Sequence, residues 1–413
     1  MFLTDEEEKM LRGDQGPEVQ RMMEILVTLG DAFDAERLIP VANVHMPGSS
    51  VLVTGDAGLH FVEEISRKEV RFRTYTTLNP AAVDLAHWKS HGVPDKIAKD
   101  QLMLTDAYRR MGAICSHTCT PYLVGNIPRI GENIAWGESS AIVFANSVLG
   151  ARTNREGGPS ALASAITGRT PLYGFHLDEN RFAKYRVAVN SALRDITDYG
   201  ALGYYVGRIV GEQTPAFVGI PSDVTLDQLK MLGAALASSG AVALFHIIGV
   251  TPEASTEDIA FGGEPPSEII NFGQEELKGA KESLSKATDE IVDVVCIGCP
   301  HASINEIRQI AELLSGRKVS SKLELWICSS ISVGSLAERM GYANIIERAG
   351  GTIIYDTCPV LGPTQEIVKI RGYKCMATNS AKLAHYCVGR CGLLPRYGSI
   401  ENCIEAAVSG SWE

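Results

Sequence analysis

No stretch of this chain is apolar for long enough to cross a lipid bilayer. The most hydrophobic run, Ala241 to Val250, has ten residues, where a spanning helix needs about 20. The N-terminus, MFLTDEEEKML, has no basic segment leading into an apolar one and does not read as a secretory leader. A cytoplasmic location is expected, and Thr4 with Glu7 reads as the capping box of a first helix. Positive charge is scarce as well: 38 lysines and arginines stand against 49 acids, a net charge of −11. That balance argues against nucleic-acid binding, which needs a basic surface. It leaves room for a small anionic substrate in a local arginine pocket. Tandem repeats, low-complexity tracts and Pro-rich linkers are missing too.

What the chain does have is ten cysteines. In a reducing compartment their spacing points to metals or catalysis rather than disulfides. Cys296 in IVDVVCIG and Cys328 in LELWICSS end apolar, strand-like runs, where cysteine serves as a small hydrophobe. Three others share a different setting. Cys119 in SHTCTPY, Cys299 in IGCPH and Cys358 in DTCPV lie in turns, each followed at once or after one residue by proline. Three loop thiols that converge can hold a 4Fe–4S cluster with one iron free of protein ligands, and such an iron acts as a Lewis acid on a hydroxyl or carboxylate. Equally, they can be three surface thiols that never meet. The close pairs Cys115/Cys119, Cys296/Cys299 and Cys387/Cys391 leave a structural zinc site open, although AHYCVGRC reads as a helix whose two cysteines share a packed face.

The pattern of elements is α/β. From EIVDVVCIG onward, apolar strands alternate with amphipathic helices, which implies a mostly parallel sheet covered by helices. Polar residues collect at the carboxyl ends of its strands, where open α/β sheets place ligands. We expect an N-terminal α/β region over 1–280, binding substrate and cluster, and a C-terminal βαβ-repeating region over 281–413. Two further groups could carry chemistry. GARTNREGGPS offers Arg152, Asn154, Arg155 and Ser160 as an anion pocket, or a solvated loop. TYTTLNPAAVD places Thr76, Thr77 and Asn79 before a proline-started helix, suited to a carboxylate or to ordinary capping. His45 and His301 lie in polar turns, whereas His246 sits in an apolar strand.

Several longer motifs then stand in one order: HMPGSS, GDAGLHFVEEI, TTLNPAAVD, CTPYLVGNIPRIGENIAWGESSAIVFANSVLGART, GCPHAS, DTCPV and TNSAKLAHY. Together they resemble the large subunit of the aconitase X family, a divergent hydro-lyase branch of the aconitase superfamily. The resemblance implies an aconitase-like α/β fold without the swivelling domain, and Cys119, Cys299 and Cys358 as ligands of an iron–sulfur cluster. It implies a separate small subunit that brings the swivelling domain and a serine base. Two activities go with the family: dehydration of cis-3-hydroxy-L-proline, and dehydration of (R)-5-phosphomevalonate to trans-anhydromevalonate 5-phosphate in a modified mevalonate pathway. ARTNREGGPS resembles the second branch more closely. On that footing Thr76, Thr77 and Asn79 are expected to position the substrate carboxylate, and Arg152, Asn154, Arg155 and Ser160 its phosphate. Glu138 and His301 are expected to orient the catalytic groups, and Lys382 to meet an anionic group. HMPGSS departs from the family at Pro47, which limits that loop to His45 and Ser49 or Ser50. A zinc-stabilised, non-catalytic α/β binding protein is the contrasting expectation from another functional class.

Overall fold

The computed structural model describes residues 1–288 and 290–412. Among them are three parallel sheets and an antiparallel ribbon that pairs Leu38–Pro40 with Arg169–Pro171. In the first sheet, strand Asn43–Met46 lies between Tyr75–Leu78 and Ala135–Trp136. In the second, Tyr185–Val189 has Pro215–Val218 and then His246–Ile247 on one side, and Glu268–Phe272 on the other. The third has five strands. Val294–Ile297 is central, followed outward by Glu324–Ser329 and Thr352–Tyr355 in one direction, and by Cys375–Thr378 and Leu394–Tyr397 in the other. No helix among the described residues is long and apolar enough to cross a membrane.

Each sheet therefore begins inside and reverses direction once. A reversal of strand order leaves a crevice at the carboxyl ends of the two strands that flank it, because their connections leave toward opposite faces. In the first sheet that crevice lies between Asn43–Met46 and Ala135–Trp136. In the third it lies between Val294–Ile297 and Cys375–Thr378.

Local sequence explains most elements. The strand VVCI is buried at all four positions, as a parallel strand covered on both faces should be. Helix Ile304–Leu314 buries Ile307, Ile310, Ala311 and Leu314 on one face and opens with a capping box of Ser303 and Glu306. The Thr4–Glu7 box at the first helix is formed as well. Cys296 and Cys328 are core residues at strand ends.

One expectation fails. No helix starts at Pro80; the next one is Asp95–Arg110. The segment is held instead by tertiary and local turn contacts: Ala81 donates to the Asp356 carbonyl and Ala82 to the Gln101 side chain, while Asp84 accepts from Ala86 and His87. The apolar run Ala241–Val250 is a strand only at His246–Ile247. Ala241 has a φ of 65° at the end of the preceding helix and turns the chain there. The helical stretch after Ser330 breaks in two at Gly341, which has a φ of 79°.

Candidate active site

The three proline-flanked cysteines come from loops on two sheets, and all three are buried. Cys299 follows the central strand of the third sheet. Gly298 before it has a φ of 106°, and a Cβ there would lie 2.1 Å from the Cys328 carbonyl oxygen. Only glycine lets the chain turn so close to the neighbouring strand. Cys358 follows the edge strand Thr352–Tyr355, and Cys119 belongs to the loop after helix Asp95–Arg110.

His301 ties these loops together. Its backbone N–H donates to Cys119 Sγ at 3.2 Å. Its ring Nε2 lies 3.0 Å from the Thr357 carbonyl, beside Cys358, and its Nδ1 lies 3.1 Å from the Thr118 hydroxyl, beside Cys119. A carbonyl can only accept, so Nε2 carries the proton and Nδ1 accepts from Thr118. Burial lowers the pKa of this imidazole to about 4, keeping it neutral. With both nitrogens engaged, the His301 ring joins the Cys119 and Cys358 loops.

Beneath it lies a group that the sequence reading passed over. Lys230, fully buried on helix Leu226–Gly240, donates to the His301 carbonyl at 3.3 Å and pairs with the Glu306 carboxylate and with Asp227. A lysine amid KMLGAALA was its one sequence signal. Gln101 was missed too: it accepts from Val51 and Ala82 and donates to the Ser49 carbonyl, clamping two loops of the first sheet.

The other side of the site holds a charged pair. Glu138 caps helix Ser139–Ser147, and Gly137 before it lets Pro47 approach, since a Cβ there would be 2.2 Å from the Pro47 ring. Lys382 Nζ lies 2.6 Å from Glu138 Oε1 and 3.2 Å from the Ser140 hydroxyl. Burial raises the pKa of Glu138, but the Lys382 charge overrides it and holds the carboxyl at about 2. Lys382 is thus a buried, paired cation rather than a solvated one, and its charge also acts on the Cys119 and Cys299 thiols. Asn79 Nδ2 donates to Glu138 Oε2 at 3.4 Å. His45 stands close by: its Nδ1 is 2.9 Å from Thr77 Oγ1, and burial lowers its pKa to about 4 against the pull of Glu138.

Other expected site residues have structural employment. Thr77 Oγ1 also accepts from Asn126 and so fixes the His45 ring. Thr76 points to the opposite face of the strand, as alternation requires, and bonds the Thr74 carbonyl. Ser49 donates to the Asn79 carbonyl at 2.5 Å and Ser50 to the Leu361 carbonyl at 3.1 Å, joining the 47–50 loop to Asn79 and to the Cys358 loop. Arg152 pairs with Asp178 and donates to the His176 carbonyl. The Asn154 amide is used by Tyr173 and Phe175, and Ser160 caps Gly157. Arg152, Asn154 and Ser160 thus spend polar atoms on other parts of the fold. Arg155 differs: it is exposed, reaches the Ala241 carbonyl, and forms no salt bridge among the described residues, although the Glu212 charge acts on it.

Models of the aconitase X first, second and third domains match residues 1–179, 183–282 and 292–409. The chain belongs to the aconitase X family. It is 45% identical to the phosphomevalonate dehydratase large subunit of Methanocaldococcus jannaschii, over 98% of this chain and 100% of that protein. A cis-3-hydroxy-L-proline dehydratase of Pseudomonas aeruginosa is 39% identical over 98% of this chain and 69% of that protein. The crystal structure of Thermococcus kodakaraensis aconitase X in its holo-form superposes with a TM-score of 0.88 at 42% identity, covering 98% of this chain and 100% of that one. Membership in aconitase X makes the chain part of a hydro-lyase family and accounts for its parallel-sheet architecture.

The residues of this aconitase X can be tested against a metal group on their own geometry. Around the three cysteine loops, several buried polar atoms have no hydrogen-bond partner: the Tyr122 and Thr357 hydroxyls, and both amide atoms of Asn379. Buried polar groups are nearly always satisfied, so this concentration fits a site that a bound group completes. Burial pushes the Cys119 thiol up to about 12 and raises Cys299 and Cys358 as well; thiolates there need a metal to hold their charge. Among the described residues no three His, Cys, Asp or Glu side chains are placed to hold a single ion. His87 and His91 both face Asp84.

Proposed function

We infer that this chain is the large subunit of a dehydratase that converts (R)-5-phosphomevalonate to trans-anhydromevalonate 5-phosphate. The observation that carries the reading is the meeting of three buried, proline-flanked thiols through His301, beside the buried Lys382–Glu138 pair. Cys119, Cys299 and Cys358 would hold an iron–sulfur cluster, 4Fe–4S with one iron free of protein ligands, which supplies Lewis acidity toward a leaving hydroxyl.

The chain's own groups do the rest of the positioning. Lys382 keeps Glu138 ionised at any physiological pH, and Glu138 orients the Asn79 amide. The neutral His45, fixed by Thr77 and interacting with Asn79, stands at the same crevice. These groups suit a carboxylate and a hydroxyl. Arg155, the one arginine of its loop that forms no salt bridge among the described residues, is the candidate for the substrate phosphate. The resemblance to aconitase X implies that the base which removes the proton next to the carboxylate is a serine of a separate small subunit.

Phosphomevalonate is favoured over hydroxyproline by the higher identity to the Methanocaldococcus protein and by Arg155, for which hydroxyproline has no phosphate. The test is anaerobic co-production of this chain with its small subunit and assay on both substrates. Turnover of phosphomevalonate by a brown, iron-containing complex is expected. Turnover of hydroxyproline alone would overturn the substrate, and a colourless zinc protein would overturn the chemistry.

A further inference from the structure

One residue at the reversal of the third sheet has no role in the account so far. Asn379 follows strand Cys375–Thr378, which runs beside the central strand with Val295 opposite Ala377. In that register Asn379 stands level with Ile297, two residues before Cys299. It therefore sits on one wall of the crevice whose other wall carries that cysteine. Its neighbour Ser380 donates to the Cys299 carbonyl, and Lys382, three residues on, pairs with Glu138. Asn379 is buried, yet neither its Nδ2 nor its Oδ1 has a partner. An amide removed from water with both ends unmet is costly and rare. A residue kept only for packing would be served better by leucine, which has nearly the same shape and no polar atoms.

Resting on the reading that a cluster is held by the three thiols, we propose that Asn379 is a positioning residue whose carboxamide is completed by the cluster and retains it in the crevice at Cys299. Hydrogen bonds to cluster sulfurs set both the retention and the potential of such centres, and loss of an outer partner typically weakens metal binding about 10- to 100-fold.

The experiment compares the full chain and its Asn379→Leu and Asn379→Asp variants in iron-free and cluster-reconstituted form. Melting temperature and the decay of the visible iron–sulfur absorbance in a chelator are measured. In the iron-free protein Asn379→Leu should melt at or above the parent temperature, because an unmet amide has been removed. In the reconstituted protein it should lose its chromophore at least tenfold faster. Asn379→Asp, of equal size but with a donor replaced by an acceptor, should lose it faster too, which keeps the test open if the leucine variant does not fold. Equal destabilisation of both forms by leucine would show an amide satisfied by buried water. Unchanged cluster decay in the variants that fold would also overturn the proposal. Failure of the parent chain to take up a cluster at all would instead refute the cluster reading.

Discussion

Replacing Lys382 by methionine keeps the stem of the side chain and removes its charge, which isolates the buried pair. In the parent protein Glu138 has a pKa near 2 instead of 4.5. At 1.36 kcal/mol per unit, this carboxylate contributes about 3 kcal/mol to folding above its unfolded pKa. That contribution is complete above pH 4.5 and is lost as pH falls toward 2. The two side chains are 9% and 13% exposed, too buried for solvent to screen the interaction as it does at a surface. Removal of one partner from a buried pair costs about 3–5 kcal/mol. The sign of the pH dependence that Glu138 contributes should also reverse. Without Lys382, burial becomes the dominant influence on Glu138 and lifts its pKa above 4.5, so Lys382→Met should lose more stability than the parent as pH rises from 5 to 8. Urea unfolding between pH 5 and pH 8 measures both effects: a loss of about 3–5 kcal/mol at pH 8, partly recovered at pH 5. Adding Glu138→Gln should restore part of the loss and remove the additional pH slope. A cost below about 1 kcal/mol, the range of exposed pairs, or a variant profile parallel to the parent, would refute this account of the site's charge.

Two further outcomes follow from the cysteine loops and the arginine loop. Cys119→Ser, Cys299→Ser and Cys358→Ser should each abolish iron binding, measured as iron per chain after anaerobic reconstitution, while Cys296→Ala should retain it because that thiol lies in the strand core. Arg155→Ala should raise KM for the phosphorylated substrate with kcat little changed, the mark of lost ground-state binding. Arg152→Ala, which breaks an ion pair to Asp178, should leave KM unchanged and lower thermal stability only slightly.

Much of this site is legible in the chain because its parts are punctuated locally. Proline after Cys299 and Cys358 marks a turn at the end of an apolar run, and the alternation of strand and helix places both turns at the same edge of the third sheet. The same logic separated Cys296 from Cys299 within one CxxC motif. What could not be read are the partners chosen at long range. Pro80 looks like a helix start, but Asp356 and Gln101 hold the segment through Ala81 and Ala82. Arg152 and Arg155 look alike until Asp178 takes one of them. Lys230 looks like an exposed lysine on an amphipathic helix, and only the packing of that helix against the loop after Cys299 shows that it is buried. Strand order was equally hidden, and with it the crevice that Asn379 lines.

The way His301 fastens the loops has a consequence for how the protein is made. A ribosome releases Cys119 together with the first sheet long before it reaches the central strand of the third, and the whole second sheet is synthesised in between. Regions fold in order as they emerge, so the first sheet must wait with a lone thiol loop whose bracket, the backbone and ring of His301, does not yet exist. A truncated or stalled chain that lacks the last region carries Cys115 and Cys119, four residues apart, without Cys299 or Cys358.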